Sequence, residues 1–447
     1  MGRESSRSRR LVIGMSASAI SRGLAALAPL ITVPVSLQFL GVSGYGAWSA
    51  ALALTAFTAF ADLGIGAGLM TKLSAALATD NLGLAKRLVS SAYVAVVSLI
   101  AALLGLLWVS QSFVDWATVV GGNGSRDDGD VSAIALITIS AFLINAAAML
   151  IVRVQYAAQQ VPASNVWQAA GSLAGIAAIY IAAGVSEDKS EFVAVAAFTP
   201  AAIAIINTVY FFAFGPGRTW RPEFHGFHWT ETRELAKIGS KFLVISVLMA
   251  ASLSTDSWII AHAVSLEAVT EFSIPARVFA VIGTAVSVLS IPLWPANAEA
   301  LSNGDLDWVR RTTHRMTVIA PVVVAILAIV GVLIAPTALD WWLGESVQPS
   351  LVLLSGLGAW SLVQAVVAPM FMVQNAVGVL RPQIVGYTAL LAAIPLKWFV
   401  AGHWGYEWLP FTAVACYVAI IWPTAWFGYR RSMKLAAVST IGRANPV

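Results

Sequence analysis

Apolar residues in this chain come in long unbroken runs separated by short polar stretches. A helix needs roughly 20 apolar residues to cross about 30 Å of hydrocarbon. On that rule the pattern predicts membrane-spanning helices over 11–40, 47–70, 88–109, 131–152, 166–184 and 192–214. It predicts a second set over 241–262, 272–298, 317–339, 349–375, 383–400 and 408–428. Strands of a membrane barrel would alternate apolar and polar over about ten residues, whereas these runs are continuously apolar and longer. The longest polar stretch, Gly215 to Lys241, falls between the two sets, and Gly215, Pro216 and Gly217 at its start cannot continue a helix. The predicted architecture is all-α integral membrane, with about 12 transmembrane helices in two six-helix halves. It divides into a lobe over 1–214, a cytoplasmic connector over 215–240, a lobe over 241–430 and a cytoplasmic tail over 431–447.

Composition excludes a soluble globule: 59% of residues are hydrophobic and 11% charged, against about 25% charged in soluble domains. The net charge of +4 raises nucleic acid as a partner, but its distribution speaks for membrane topology instead. Loops rich in Lys and Arg stay in the cytoplasm. With the N-terminus inside, the inner segments collect Arg3, Arg7, Arg9 and Arg10, then Lys72, Lys86, Arg87 and Arg153. They also hold Arg218, Arg221, Arg233, Lys237 and Lys241, then Arg310, Arg311, Arg315 and Arg381, and at the end Arg430, Arg431, Lys434 and Arg443. The opposite loops are acidic, with Asp115, Asp127, Asp128, Asp130, Glu187, Asp188, Glu267, Glu271, Asp340, Glu345 and Glu407; Arg126, Lys189 and Lys397 fall at or near that outer face. This asymmetry is expected to put both termini on the cytoplasmic side of the membrane. The basic leader precedes an apolar run to about Leu40, longer than the 7–15-residue core of a cleaved signal, so the first helix is expected to be retained. Trp108, Trp116, Trp341, Trp342, Trp404 and Trp408 mark outer boundaries, as aromatic belts do.

Two inner segments look alike. Ala75–Arg87 follows the second span and Glu299–Arg311 the eighth; aligning them pairs Ala76 with Ala300, Leu77 with Leu301, Leu82 with Leu306, and Lys86-Arg87 with Arg310-Arg311. Because each half has an even number of spans, the halves share one orientation. They form a parallel repeat about an axis along the membrane normal, and substrate sites in such folds lie between the halves near the midplane.

The sequence from Gly41 to Trp48, GVSGYGAW, resembles the first outer loop of bacterial polysaccharide/O-antigen (Wzx-type) flippases, within the multidrug/oligosaccharidyl-lipid/polysaccharide exporter superfamily. Asp62-Leu63-Gly64-Ile65-Gly66 is similar to that family's second-helix motif, and Phe272 to Arg277, FSIPAR, to its Tyr-Ser-x-Ala-x-Arg pattern. Pro292 to Asp305, PLWPANAEALSNGD, resembles the Pro-rich end of helix eight running into Gly-Asp. The chain departs from the family in carrying Lys72 where an Arg often follows the second-helix motif. The twelve-span reading also expects none of the two further C-terminal helices that several relatives carry. The resemblance implies a MATE-like fold and export by alternating access.

A charge inside the bilayer is costly and needs a reason. Arg22 lies roughly 16 Å beyond Leu11 at 1.5 Å per residue, near the midplane. It either lines a polar cavity, where its fork suits a pyrophosphate or acidic sugar, or pairs with Asp62 at similar depth; both can hold together. Arg277 sits only about 9 Å beyond Glu271, so substrate contact competes with snorkelling to the outer surface. Asp62 and Asp256 are the ion-coupling candidates, Asp256 alternatively being a partner for Arg277. Asn145, Asn207, Asn297, Gln364, Gln374 and Asn375 are polar positions within spans. They serve interhelical hydrogen bonds or a cavity, and Asn145, Asn297, Gln364 and Gln374 join Arg22 and Arg277 as expected substrate contacts. Pro29, Pro34, Pro292 and Pro295 are expected to interrupt spans one and eight.

The lone Cys416 rules out an intrachain disulfide, and no Cys/His metal spacing, HExxH or GxxxxGK[ST] phosphate loop is present. No cofactor, metal or catalytic residue is expected, and the outer loops are short for a membrane enzyme of polysaccharide assembly. The implied function is flipping of a polyprenyl-pyrophosphate-linked oligosaccharide across the plasma membrane. Its partners would be that glycolipid and membrane lipid, with room for contact with polysaccharide assembly enzymes. The alternative is a cation-coupled multidrug antiporter of the same superfamily, which requires intramembrane carboxylates facing a cavity.

Overall fold

The computed structural model describes residues 2–55, 64–122, 128–290, 293–302, 304–343 and 347–444; the side chains of 2–22, 24–26, 439–444 and some isolated positions lie outside that description. Every regular element among the described residues is helical. Nine helical stretches among them are long and apolar enough to cross a membrane, and Ile65–Ala78 is a shorter apolar helix. The rest of the expected spans, near 47–70, 241–262 and 272–298, fall on stretches that are broken or only partly described. The chain is a multi-pass membrane protein that divides into two compact units, Met1–Ala250 and Ala251–Val447.

The first unit begins with α1 (Gly2–Thr55), which differs from the expected pair of spans. It runs through Pro29 and Pro34 and breaks only at Gly41, whose φ of 73° and ψ of 171° suit glycine alone. The expected outer loop at 41–46 thus shrinks to a kink. Then come α2 (Ile65–Ala78), α3 (Leu82–Ser110), the short α4 (Trp116–Val119), α5 (Asp128–Ala148), α6 (Leu150–Ala157), α7 (Val161–Val185), α8 (Lys189–Ala213) and α9 (Trp229–Leu253). The core of the unit packs Leu69 and Leu73 of α2 against Leu88, Val89 and Val96 of α3 and Ile151 and Val154 of α6.

The polar stretch after α8 folds back onto this core. Trp220 stands edge-on to Phe211 at 5.7 Å and to Phe212 at 5.8 Å. The Glu223 and His228 amides donate to the Ser90 and Ser91 hydroxyls of α3, each at 2.9 Å. Lys72 pairs with Glu234, and Lys86 with Glu223 at 2.8 Å. The Glu223 carboxyl is held below the usual carboxylate range, first by the Lys86 hydrogen bond and further by the charges of Lys86, Arg221 and His225. Gly64 of the second-helix motif, with Gly68 and Gly239, allows a close backbone approach. A Cβ on Gly239 of α9 would fall on the Gly64 carbonyl, and one on Gly68 of α2 would fall on the Leu235 carbonyl. The α2 and α9 backbones therefore cross without side chains between them, as small residues allow between membrane helices.

The second unit holds the end of α9, then α10 (Asp256–Ala263), α11 (Leu266–Ser290), α12 (Leu293–Ser302), α13 (Leu306–Leu343), α14 (Leu351–Val377), α15 (Arg381–Leu391), α16 (Ile394–His403), α17 (Leu409–Cys416) and α18 (Trp422–Ala444). A π turn at Tyr417–Ile421 joins the last two.

The internal likeness seen in the sequence returns bond for bond. In the first unit the Asn81 amide donates to the Ala76 carbonyl, Asp80 has φ 55°, and the Asn81 side chain caps α3 at Leu84. In the second, the Asp305 amide donates to Ala300, Gly304 has φ 79°, and the Asp305 carboxylate caps α13 at Trp308. A further pair of turns matches as well. Gln160 N–H donates to Gln155 with Gln159 at φ 58°, and Val379 N–H donates to Gln374 with Gly378 at φ 78°.

Two measurements check this packing. Gly239→Ala is expected to lower stability by about 1–3 kcal/mol through overpacking, read as the unfolding temperature in detergent, while Gly105→Ala, with open space around it, leaves it unchanged. The Glu223 tie contributes above the ordinary carboxylate pKa and is lost as pH falls through its lowered value. Hydrogen exchange over 221–228, corrected for intrinsic rates, is expected to rise from pH 7 to about pH 3, and Glu223→Gln to abolish that dependence.

Candidate functional site

The second unit interrupts several of its expected spans. The span expected at 241–262 is interrupted between Leu253, the end of α9, and Asp256, the start of α10. The span expected at 383–400 is interrupted between Leu391 and Ile394, at the junction of α15 and α16. The last span is loosened by the π turn at Tyr417–Ile421. Interruptions inside apolar runs mark binding sites in transporters, because broken helices free backbone groups and align helix termini there.

These breaks converge on one ion pair. Lys397 of α16 reaches the Asp256 carboxylate at 2.7 Å and the Ser252 carbonyl at 3.5 Å. The Lys397 side chain is 4% exposed and that of Asp256 17%. Asp256 opens the first turn of α10, where the helix dipole favours a negative charge. Around the pair, the Ser252 hydroxyl donates to the Tyr387 carbonyl at 3.1 Å, and the Tyr387 and Tyr417 hydroxyls interact. Trp360 packs edge-on against Tyr417 at 5.1 Å, and His262, in the last turn of α10, lies against the rings of Trp258 and Trp398. Two charges leave water at a cost of several kcal/mol each, which only a close, hydrogen-bonded pair offsets.

Lys397, read from the charge pattern as lying at or near the outer face, is 3% exposed and sits within the helical stretch Arg381–His403. It also gives Asp256 a partner other than Arg277. The signal is present in the sequence, since a lysine in an apolar run is itself an intramembrane charge. Ser252, Tyr387 and Tyr417 carry no such signal.

The other candidates are dispersed. Arg22 lies on α1 with its side chain outside the described residues, and Asp62 is outside them altogether. Arg277 is half-buried on α11. Asn145 on α5 and Asn297 on α12 each bury a side-chain oxygen that meets no hydrogen-bond partner among the described residues. Gln364 donates at 3.5 Å to Trp360 of its own helix. Gln374, fully buried, donates to the Ala425 carbonyl at 2.9 Å across to α18, and Gly428 there leaves room for its amide. Asn207 exchanges two hydrogen bonds with Gln155, at 2.7 and 3.2 Å, and Asn375 accepts from Gln383 at 2.9 Å.

Solved membrane transporters share this architecture. An inward-facing multidrug resistance MATE family transporter of the MOP superfamily matches with a TM-score of 0.74 and 12% identity, over 94% of this chain and 98% of that one. The fold is MATE-like. A MOP superfamily transporter from Pyrococcus furiosus matches with a TM-score of 0.63 and 12% identity over 97% and 95%. The lipid II flippase MurJ in an inward closed conformation matches with 0.63 and 10% identity over 96% and 91%. No protein-family model matches the chain, and no curated protein matches it by sequence. At these identities the MATE-like neighbours speak for the fold, so function is argued from the site.

Breaking the pair from one side should be costly and from both sides mild. Lys397→Met is expected to destabilise by about 3 kcal/mol or more, because it strands a carboxylate. Lys397→Met with Asp256→Asn should recover most of that loss. Thermal unfolding of the four chains of this double-mutant cycle in detergent measures the coupling.

Proposed function

We propose that the protein is a membrane transporter that flips a lipid-linked oligosaccharide from the inner to the outer leaflet by alternating access. The observation that carries this reading is the neutralisation of Asp256 by Lys397. A cation antiporter needs an intramembrane carboxylate free to exchange a proton or metal ion for its substrate. Here one of the two candidate carboxylates is held by a tethered ammonium, and the other, Asp62, has Arg22 at similar predicted depth. Fixed positive charge suits a pyrophosphate headgroup. The fold is compatible with either cargo, since neighbours include a multidrug resistance transporter and the lipid II flippase MurJ. For the Pyrococcus furiosus neighbour, reverse polarity of the binding pocket suggests a different function. Charge within the site is thus a fitting discriminator.

In this reading Arg22, with Arg277, holds the anionic headgroup while the hydrocarbon tail stays in the bilayer. Asn145, Asn297 and Gln364 contribute polar contacts to the glycan, while Gln374 ties α14 to α18. The runner-up, an antiporter, gains from the partial exposure of Asp256, whose side chain is 17% exposed.

Reconstitution in proteoliposomes tests the assignment. Arg22→Ala is expected to slow translocation of a pyrophosphate-linked oligosaccharide about tenfold or more, the loss of one charged hydrogen-bonded contact, with Arg22→Lys intermediate. Unchanged rates in both variants would remove Arg22 from the site. Asp256→Asn combined with Lys397→Met is expected to retain translocation, and its loss would favour a coupling role for the carboxylate.

A further inference from the structure

The first unit carries a groove that the proposed transport mechanism does not use. It runs along α3 between α5 and α8, with Val97 and Leu104 of α3, Ala147 of α5, and Ile205 and Val209 of α8 among its walls, and encloses about 320 Å³. Its lining is almost entirely hydrocarbon. Val97, Ile205 and Val209 are each roughly half exposed, so the groove opens toward the bilayer. At one end Tyr93 and Val97 also line a second hollow of about 210 Å³, whose other walls include Pro222 and Glu223 of the connector. The two hollows make one trough that passes from hydrocarbon to charge.

The charged end has a definite composition. Glu223 accepts from Lys86 at 2.8 Å and lies 3.9 Å from Arg221, with His225 also nearby; Arg87 faces Glu231 at 3.9 Å. The Ser90 and Ser91 hydrogen bonds fix this end of the connector to α3, so the distance from the basic groups to the apolar trough is set by the fold. From Tyr93 to Leu104, α3 rises roughly 16 Å at 1.5 Å per residue, half of a roughly 30 Å hydrocarbon core. That is the depth of one leaflet, and the basic residues assign the charged end to the cytoplasmic side.

We propose that this trough binds an anionic glycerophospholipid of the cytoplasmic leaflet, with one acyl chain between α3, α5 and α8 and the phosphate at Lys86 and Arg221. Length argues for a phospholipid: the trough ends after one leaflet, whereas a polyprenyl tail is several times longer. Charge argues for an anionic one, since basic groups at the membrane surface attract phosphate. Glu223 is then a competitor. It occupies the cations when the lipid is absent and yields them when the phosphate arrives, so lipid occupancy bears on how firmly the connector is tied to α3.

Native mass spectrometry of the full chain, titrated with phosphatidylglycerol or phosphatidylcholine of matched chains, tests this. One phosphatidylglycerol is expected to bind about five-fold or more tightly than phosphatidylcholine, the discrimination that one basic contact supplies. Arg221→Gln should erode that preference, and Glu223→Gln, which removes the competitor, should strengthen it. Ala101→Phe, which plugs the trough from an exposed position, should lower occupancy by both lipids without changing the unfolding temperature. Equal binding of the two lipids, with no response to Glu223→Gln, would overturn the proposal. So would displacement of bound phosphatidylglycerol by polyprenyl phosphate together with loss of flipping in Ala101→Phe, because the trough would then belong to the transported lipid.

Discussion

A charge in hydrocarbon must find its opposite or some water, and this constraint shapes the second unit more than any other. Lys397 and Asp256 satisfy it together, at 2.7 Å, with the Ser252 carbonyl as an additional acceptor. The helix breaks follow from it. A continuous helix carries its own backbone hydrogen bonds and offers nothing to an ion. The interruption after Leu253 frees the Ser252 carbonyl and turns the first-turn dipole of α10 toward Asp256, while the junction before Ile394 brings Lys397 against it. The pair contributes little net stability compared with an apolar replacement, as buried pairs generally do.

The first unit is organised by a different device, close backbone approach. Gly64, Gly68 and Gly239 let α2 and α9 cross without intervening side chains, and the connector is fastened to α3 by serine hydroxyls and ion pairs. The two units nevertheless share local solutions. The same positive-φ turn, the same backbone bond and the same side-chain cap stand before α3 and before α13. Gln155 and Gln374 occupy matching turns as well, and each commits its amide to a neighbouring helix, through Asn207 and the Ala425 carbonyl.

Much of this is legible in the sequence. Continuous apolar runs specify the helices, and the likeness of Ala75–Arg87 to Glu299–Arg311 specifies the repeated turn, because both depend on residues close together in the chain. What escapes depends on distant partners or on single backbone angles. Pro29 and Pro34 have the chemistry of helix breakers, yet α1 passes through them, since neighbouring groups can satisfy a freed carbonyl in a membrane bundle. Its break is instead one torsion at Gly41. The sign of Lys397 and its nearness to Trp404 point to the outer face. Its carboxylate partner lies on another helix, far away in sequence, and nothing local announces that contact. For the polar residues within spans the sequence offers depth alone. Depth cannot separate Gln374, already committed to a neighbouring helix, from Asn297, whose side-chain oxygen is buried without a partner among the described residues.

A carboxylate cancelled by a fixed cation offers no free negative charge to a cationic cargo, and the proposed reading assigns an anionic one. The most direct measurement offers the unmodified chain both cargoes in the same proteoliposomes: a fluorescent pyrophosphate-linked oligosaccharide, and a cationic dye with an imposed proton gradient. The expected result is that the glycolipid crosses faster than in protein-free vesicles while the dye gradient is unaffected. Dye exchange driven by the proton gradient, with the glycolipid left in its original leaflet, would contradict it.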